Sequence, residues 1–299
     1  MGDHALWIAA ALIAAAAQTA RNAAQTSLTK AIGTLGATQV RFLFGLPFAA
    51  LFLLLVSLVT DQTPPALTAR AIGFTAMGAV AQIAATALML LLMQSRSFAV
   101  TTAWLKTEPV LVAVAAALIL RDPLSVPMLA AIAIATAGVL LMTVKSGTAL
   151  LGEGRAAATG LFAALLFGIS AIGFRGGITA LPQGDFLIRA TTILVLSLAL
   201  QSLMLGAYLG LFNRPALTGS VKVWRSSLFA GFLGAFASQF WFIGFSLTSA
   251  ANIRTLALVE VIFALGVSRY LLRQPVSARQ LTGMVVIVAG IALLLRLQA

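Results

Sequence analysis

The stretch EPVLVAVAAALILRDPLSVPMLAAIAIATAGVLL, Glu108 to Leu141, recurs 152 residues later as EVIFALGVSRYLLRQPVSARQLTGMVVIVAGIAL, Glu260 to Leu293, without a gap. Nine of the 34 aligned positions are identical: Glu108, Leu120, Arg121, Pro123, Ser125, Leu129, Ala137, Gly138 and Leu141. Leucine and alanine matches carry little weight in so apolar a chain. A Glu, an Arg-x-Pro-x-Ser turn and a Gly in one register carry more, and they read as an internal duplication. Each copy is an apolar helix with one carboxylate, a tight turn (Leu120-Arg121-Asp122-Pro123 and Leu272-Arg273-Gln274-Pro275), and a second apolar helix ending in Ala-Gly.

Composition gives the solvent. Of 299 residues 61% are hydrophobic and 9% charged, against about 25% charged in an average soluble domain, so the chain reads as an all-α integral membrane protein. With no cysteine, and His4 as the one histidine, no disulfide framework, thiolate or histidine metal site is expected, and no cofactor. The net charge of +12 would suggest nucleic acid in a soluble protein. Here the basic residues are spread singly along apolar segments and their ends, where they mark membrane boundaries, so no nucleic-acid partner is expected. The apolar run from Ala5 has no Lys or Arg before it and continues through Arg21, so it reads as a mature helix rather than a cleaved signal.

A hydrocarbon core of about 30 Å takes about 20 residues of helix. Ten such runs are present: Ala5 to Leu28, Leu35 to Val59, Thr68 to Met93, Phe98 to Leu120, Leu124 to Val144, Ala156 to Leu181, Asp185 to Phe212, Val221 to Leu247, Ala250 to Leu272 and Ser277 to Leu297. The duplication divides them into two sets of five, residues 1–148 and 149–299. Five is odd, so the second set is expected to insert upside down. Two inverted five-helix repeats around a midplane site are how many secondary transporters are built. Weaker pairings extend the repeat: Arg21 with Arg175, Arg41 with Arg189, and Gln82 with Gln239.

Two five-helix halves, each with a basic residue early in its second helix and a closing hairpin carrying Glu-Pro-Val, Leu-Arg-Asp-Pro-Leu and Ala-Gly-Val-Leu-Leu in the first copy, resemble the EamA family of the drug/metabolite transporter superfamily. The overall look is similar to the bacterial YddG-type amino-acid exporters. The resemblance implies a ten-helix inverted-repeat carrier, both termini cytoplasmic, exporting amino acids and related metabolites; a monomer in the bacterial inner membrane is expected, with amino acids and membrane lipid as its partners. The second hairpin departs from the pattern, with Val261 for Pro109 and Gln274 for Asp122, so the halves are not expected to act alike. The charge tally points the other way on orientation. Lys30, Arg96, Lys145, Arg155, Arg214, Lys222, Arg225, Arg269, Arg273 and Arg279 fall at odd-numbered connections, against Arg70, Arg121, Arg189 and Arg296 on the opposite side. The positive-inside rule would place the termini outside; the resemblance implies the opposite.

Ionisable side chains within spans are the functional candidates. Glu108 and Glu260 lie about ten residues into their helices, near mid-bilayer at about 1.5 Å per residue. Lys106 and Glu108, two apart, point to different faces and are not expected to pair. Glu108 is a candidate to bind a substrate amino group or take a proton; the competing reading is an interhelical contact, neutral or paired with Arg. Arg21, Arg175 and Arg254 are within snorkelling reach of the interface, and Arg21 or Arg175 is the candidate for a substrate carboxylate. Gln18, Asn22, Gln82, Gln239 and Asn252 supply neutral hydrogen bonds between helices. Trp104, one turn before Glu108, and Trp241 are candidates to stack apolar or aromatic substrate groups. Pro109 marks a break beside Glu108. Gly173 with Gly177, and Gly206 with Gly210, are small-residue pairs for close helix contact.

No phosphate-binding GxxxxGK[ST] loop, HExxH or GxSxG motif is present, and Asp3, Asp61, Asp122 and Asp185 lie at ends or in loops. An ATP-driven pump and an intramembrane enzyme are therefore disfavoured, as is a channel, for want of a charge ring or filter loop. A drug or lipid-linked metabolite exporter or flippase of the same superfamily is the alternative to an amino-acid carrier.

Overall fold

The computed structural model describes residues 2–95, 105–121, 124–143, 154–263 and 277–297. Eleven helices are defined among them: α1 Gly2–Leu43, α2 Leu46–Thr60, α3 Ala69–Ser95, α4 Glu108–Leu120, α5 Val126–Thr143, α6 Gly154–Thr179, α7 Phe186–Phe212, α8 Arg214–Lys222, α9 Trp224–Leu247, α10 Ala250–Leu256 and α11 Ala278–Arg296. No strand occurs among the described residues. Six segments are long and apolar enough to cross a membrane, and 5–21, 108–120 and 126–141 are shorter apolar helices. Val59 is 83% exposed, Leu118 79% and Leu211 75%. Side chains of this kind on the outside fit a lipid solvent, in which a helix satisfies its own backbone.

Some boundaries differ from the sequence reading. The first two expected spans form one continuous element broken at Gly33, whose φ of 73° is a left-handed conformation that glycine adopts freely. The second of them breaks again at Phe44–Gly45, and α2 restarts with a proline in its first turn. Residues 213–220, expected as a connection, hold α8, started by the Asn213 side chain accepting from the Ala216 N–H at 3.3 Å. Residues 98–104 of the fourth expected span and 264–272 of the ninth lie outside the described residues.

Matching positions of the two aligned stretches carry matching helix caps. Arg121 closes α4 in the left-handed region, φ 57°. Ser125 Oγ then accepts the Met128 N–H at 3.3 Å, and Ser277 Oγ accepts the Gln280 N–H at 3.2 Å, the second as part of a capping box. Both serines and both donors are 152 residues apart.

Two compact units are present. One holds residues 1–83 with 170–248, the other 84–169 with 249–299. In the first, α1 meets α9 through Gln18 with Trp241, Arg21 with Gly234, and Leu28 with Ala230. Numbers rise on one helix as they fall on the other, so the two are antiparallel. The segment from Gln39 through α2 meets α7 in the same sense: Gln39 with Ser202, Gly45 with Leu198, Gln62 with Asp185. So does α3 against α6, with Thr68 on Ala180, Thr75 beside Gly177 and Gly78 against Gly173. A Cβ on Gly173 would stand 2.7 Å from the Gly78 backbone and one on Gly177 2.5 Å from Thr75 Oγ1, the close approach expected of this glycine pair. A Cβ on Gly206 would stand 3.2 Å from Gln39 Nε2, whereas one on Gly210 would meet no other element within 4 Å among the described residues.

In the second unit α5 and α11 are also antiparallel. A Cβ on Gly138 would meet the Ile287 nitrogen at 2.6 Å, and one on Gly290 would meet the Ala135 nitrogen at 2.5 Å. Ile287 stands 152 residues after Ala135, and Gly290 152 after Gly138, so the contact is reciprocal, as across a two-fold axis. Arg279 extends it, donating from Nε to the Leu141 carbonyl at 2.8 Å.

Backbone occupies the space a side chain would need at both glycines. Gly138→Leu and Gly290→Leu are each expected to lose about 1 to 3 kcal/mol by overpacking. Gly210→Ala, in open space, is expected to gain up to about 1 kcal/mol of helix propensity. Thermal unfolding in detergent checks all three, and equal melting temperatures for the two leucine variants and wild type would refute the contact.

Candidate functional site

Two helix breaks lie at matching places in the two halves. Helical Leu105 is followed by a turn at Lys106–Thr107 before α4 starts at Glu108. Pro109 is the local cause: it has no N–H to give to the Leu105 carbonyl and fits the first turn of a new helix. In the second half a turn at Ala257–Leu258 separates α10 from helical residues 259–263. Bonds there tighten to three-residue spacing, Leu258 N–H to Thr255, Glu260 N–H to Ala257 and Val261 N–H to Leu258, at 3.0, 3.0 and 3.1 Å. Val261 stands where the first half has proline, so residue type gave no warning of this second break.

Four charges gather at these breaks. Arg254 Nε donates to Glu108 Oε1 at 2.5 Å and Nη2 to Oε2 at 2.7 Å, a two-pronged pair between α10 and α4. Lys106 Nζ stands 3.3 Å from Glu260 Oε2, and Glu260 lies within Coulombic reach of Arg254 as well. The side chains of Lys106, Glu260, Arg254 and Glu108 are only 19%, 10%, 16% and 11% exposed. Two cations and two anions make a neutral set. In a poorly solvated site that neutrality is what makes ionisation tolerable, because an unmatched charge costs several kcal/mol. Lys106 and Glu108 indeed avoid each other, each paired with a residue of the other half. Arg254, expected to snorkel, instead turns inward to Glu108: a carboxylate within fork distance outbids the interface.

The remaining candidates fall elsewhere. Arg175 donates from Nη1 to the carbonyls of Phe245, at 2.8 Å, and Thr248, at the C-terminal end of α9, where helix carbonyls attract a cation. Arg189 serves the end of α6 in the same way, reaching Ile178 and Thr179 at 3.1 Å. Arg21 and Arg41 are both buried beside Gly234. Gln82 accepts from Gln201 Nε2 at 2.8 Å and Gln239 donates to Thr191 Oγ1 at 2.7 Å, so both repeat-related glutamines bond to α7. Trp241 is buried, its indole N–H on Gln18 Oε1 at 3.0 Å, and the Asn252 N–H is capped by Ser249. Trp104 and the side chain of Asn22 lie outside the described residues. Of the ten sequence candidates, then, Lys106, Glu108 and Glu260 come together. Arg254 completes their set, and nothing in its own stretch of sequence marked it for that role.

Residues 154–296 match the EamA-like transporter family. A solved crystal structure is similar to the whole chain, with a TM-score of 0.70 at 14% identity, covering 100% of this chain and 99% of that one; at that identity the likeness concerns the fold alone. No curated protein matches the chain.

Glu108→Gln leaves Arg254 without its carboxylate and is expected to cost about 3 to 5 kcal/mol. Combining it with Arg254→Gln is expected to recover most of that loss, since no charge is then left unmatched. Chemical unfolding in detergent reads both, and a double variant less stable than Glu108→Gln alone would contradict the pairing.

Proposed function

We propose that this chain, a member of the EamA-like transporter family, is a secondary carrier that exports amino acids and related metabolites by alternating access, its ten spans arranged as two inverted five-helix repeats. The neutral four-charge set at the paired breaks carries the reading of substrate. A zwitterion brings one cation and one anion, so its ammonium can take Glu108 while its carboxylate takes Arg254, and no charge is stranded at any step. A lone amine or a lone acid would open the same pair and leave one partner unmatched. Discontinuous helices that meet between halves are where carriers of this build hold their cargo. The antiparallel pairing of first-half with second-half helices, together with the reciprocal Gly138 and Gly290 contact, supports the inverted arrangement.

Counterflow in proteoliposomes tests the substrate reading. L-phenylalanine is expected to compete for exchange at least about tenfold better than 2-phenylethylamine or 3-phenylpropionate. Arg254→Gln is expected to move preference toward the amine and Glu108→Gln toward the acid. Preference for cationic dyes over every amino acid would favour the drug-exporter alternative instead. Because the chain has no cysteine, orientation is open to single-cysteine labelling. Ser125→Cys and Ser277→Cys are expected to react with a membrane-impermeant maleimide from opposite sides, the first from the cytoplasm; labelling from one side would end the inverted-repeat reading.

A further inference from the structure

Between α7 and α9 the chain carries a second patterned feature that the transport reading does not use. One face of α8 is buried: Ala216 and Ser220 are covered, and a Cβ on Gly219 would meet Ile32 at 3.3 Å. The opposite face is exposed and carries Arg214, Thr218 and Lys222 at four-residue intervals, one line along the helix. Arg225 follows at the start of α9, its guanidinium 5.5 Å over the Trp224 ring. Large apolar side chains are exposed in the segments that precede and follow this helix. Leu211 and Phe212 end α7, Trp224 and Phe229 begin α9, and each has more than half of its surface uncovered.

Charge decides what fits there. From Phe186 to Val259 the sequence contains no Asp or Glu, so no neighbour in this segment offsets the three cations. Aromatic side chains beside basic ones, on a short helix joining two membrane-length helices, form the pattern that settles at the level of lipid headgroups. A free phosphate would meet only the cations. A phospholipid meets both parts of the surface, its phosphate on Arg214, Lys222 and Arg225, its acyl chains along Leu211, Phe212 and Phe229.

We propose that α8 and the first turn of α9 form a binding surface for an anionic glycerophospholipid, with Arg214, Lys222 and Arg225 holding the phosphodiester. Each cation contributes about fivefold in affinity for an anionic surface, and the contribution weakens with salt. The surface shares no residue with the four-charge set, so it stands whether or not the substrate reading does.

The test uses the full-length protein in a neutral detergent, titrated with phosphatidylglycerol or phosphatidylcholine and read by native mass spectrometry and by thermal stabilisation. Phosphatidylglycerol is expected to bind at least about tenfold tighter than phosphatidylcholine, and to lose most of that preference in 1 M salt, a wild-type measurement that needs no variant. The triple variant Arg214→Gln, Lys222→Gln, Arg225→Gln is expected to weaken phosphatidylglycerol binding about a hundredfold and leave phosphatidylcholine binding unchanged. Equal affinity for the two lipids, or a triple variant that binds phosphatidylglycerol as wild type does, overturns the proposal. Equal binding of glycerol phosphate, which has no acyl chains, would overturn it in favour of a soluble anion.

Discussion

A carboxylate and a guanidinium that meet among apolar helices cannot part unless something else takes their charges. That constraint on Glu108 and Arg254 organises much of the second compact unit. It ties α4 to α10, elements remote in sequence, and it explains how a chain so poor in charge keeps ionisable groups among its apolar helices. Glu260 stands within Coulombic reach of the same guanidinium, so the second carboxylate adds to the field that keeps Arg254 in place.

The geometry around that pair is two-fold in outline and unequal in detail. Gly138 and Gly290 make the same contact from the two sides, and Ser125 and Ser277 cap equivalent helices. At the breaks the correspondence loosens. Proline interrupts the first helix and a three-residue hydrogen-bond register the second, while Glu108 is held by a forked arginine and Glu260 by a lysine at longer range. The two glutamates therefore sit under different constraints although they align 152 residues apart, and the tighter of the two is the one next to proline.

Much of this was legible in the residues. Apolar runs marked the helices because lipid demands them, and the 152-residue register marked the equivalent glycines, serines and glutamates because their roles are local: a close approach, a cap, a charge. What the sequence hid was non-local. Arg254 carries no mark that distinguishes a snorkelling arginine from a paired one; only the fold brings Glu108 to it. The Ala257–Leu258 break has no proline or glycine to announce it, since it arises from a change of hydrogen-bond spacing that many residues tolerate. The helix over Arg214–Lys222 was obscured by its Pro, Thr, Gly and Ser content, which reads as loop until Asn213 is seen to cap it.

Each compact unit is assembled from two stretches remote in sequence: residues 1–83 close on 170–248, and 84–169 on 249–299. Cut at residue 148, neither fragment would possess a finished core, because every antiparallel contact described for either unit joins one fragment to the other. Each unit is in this sense a joint product of the two fragments, and the integrity of either core rests on the continuity of the whole chain.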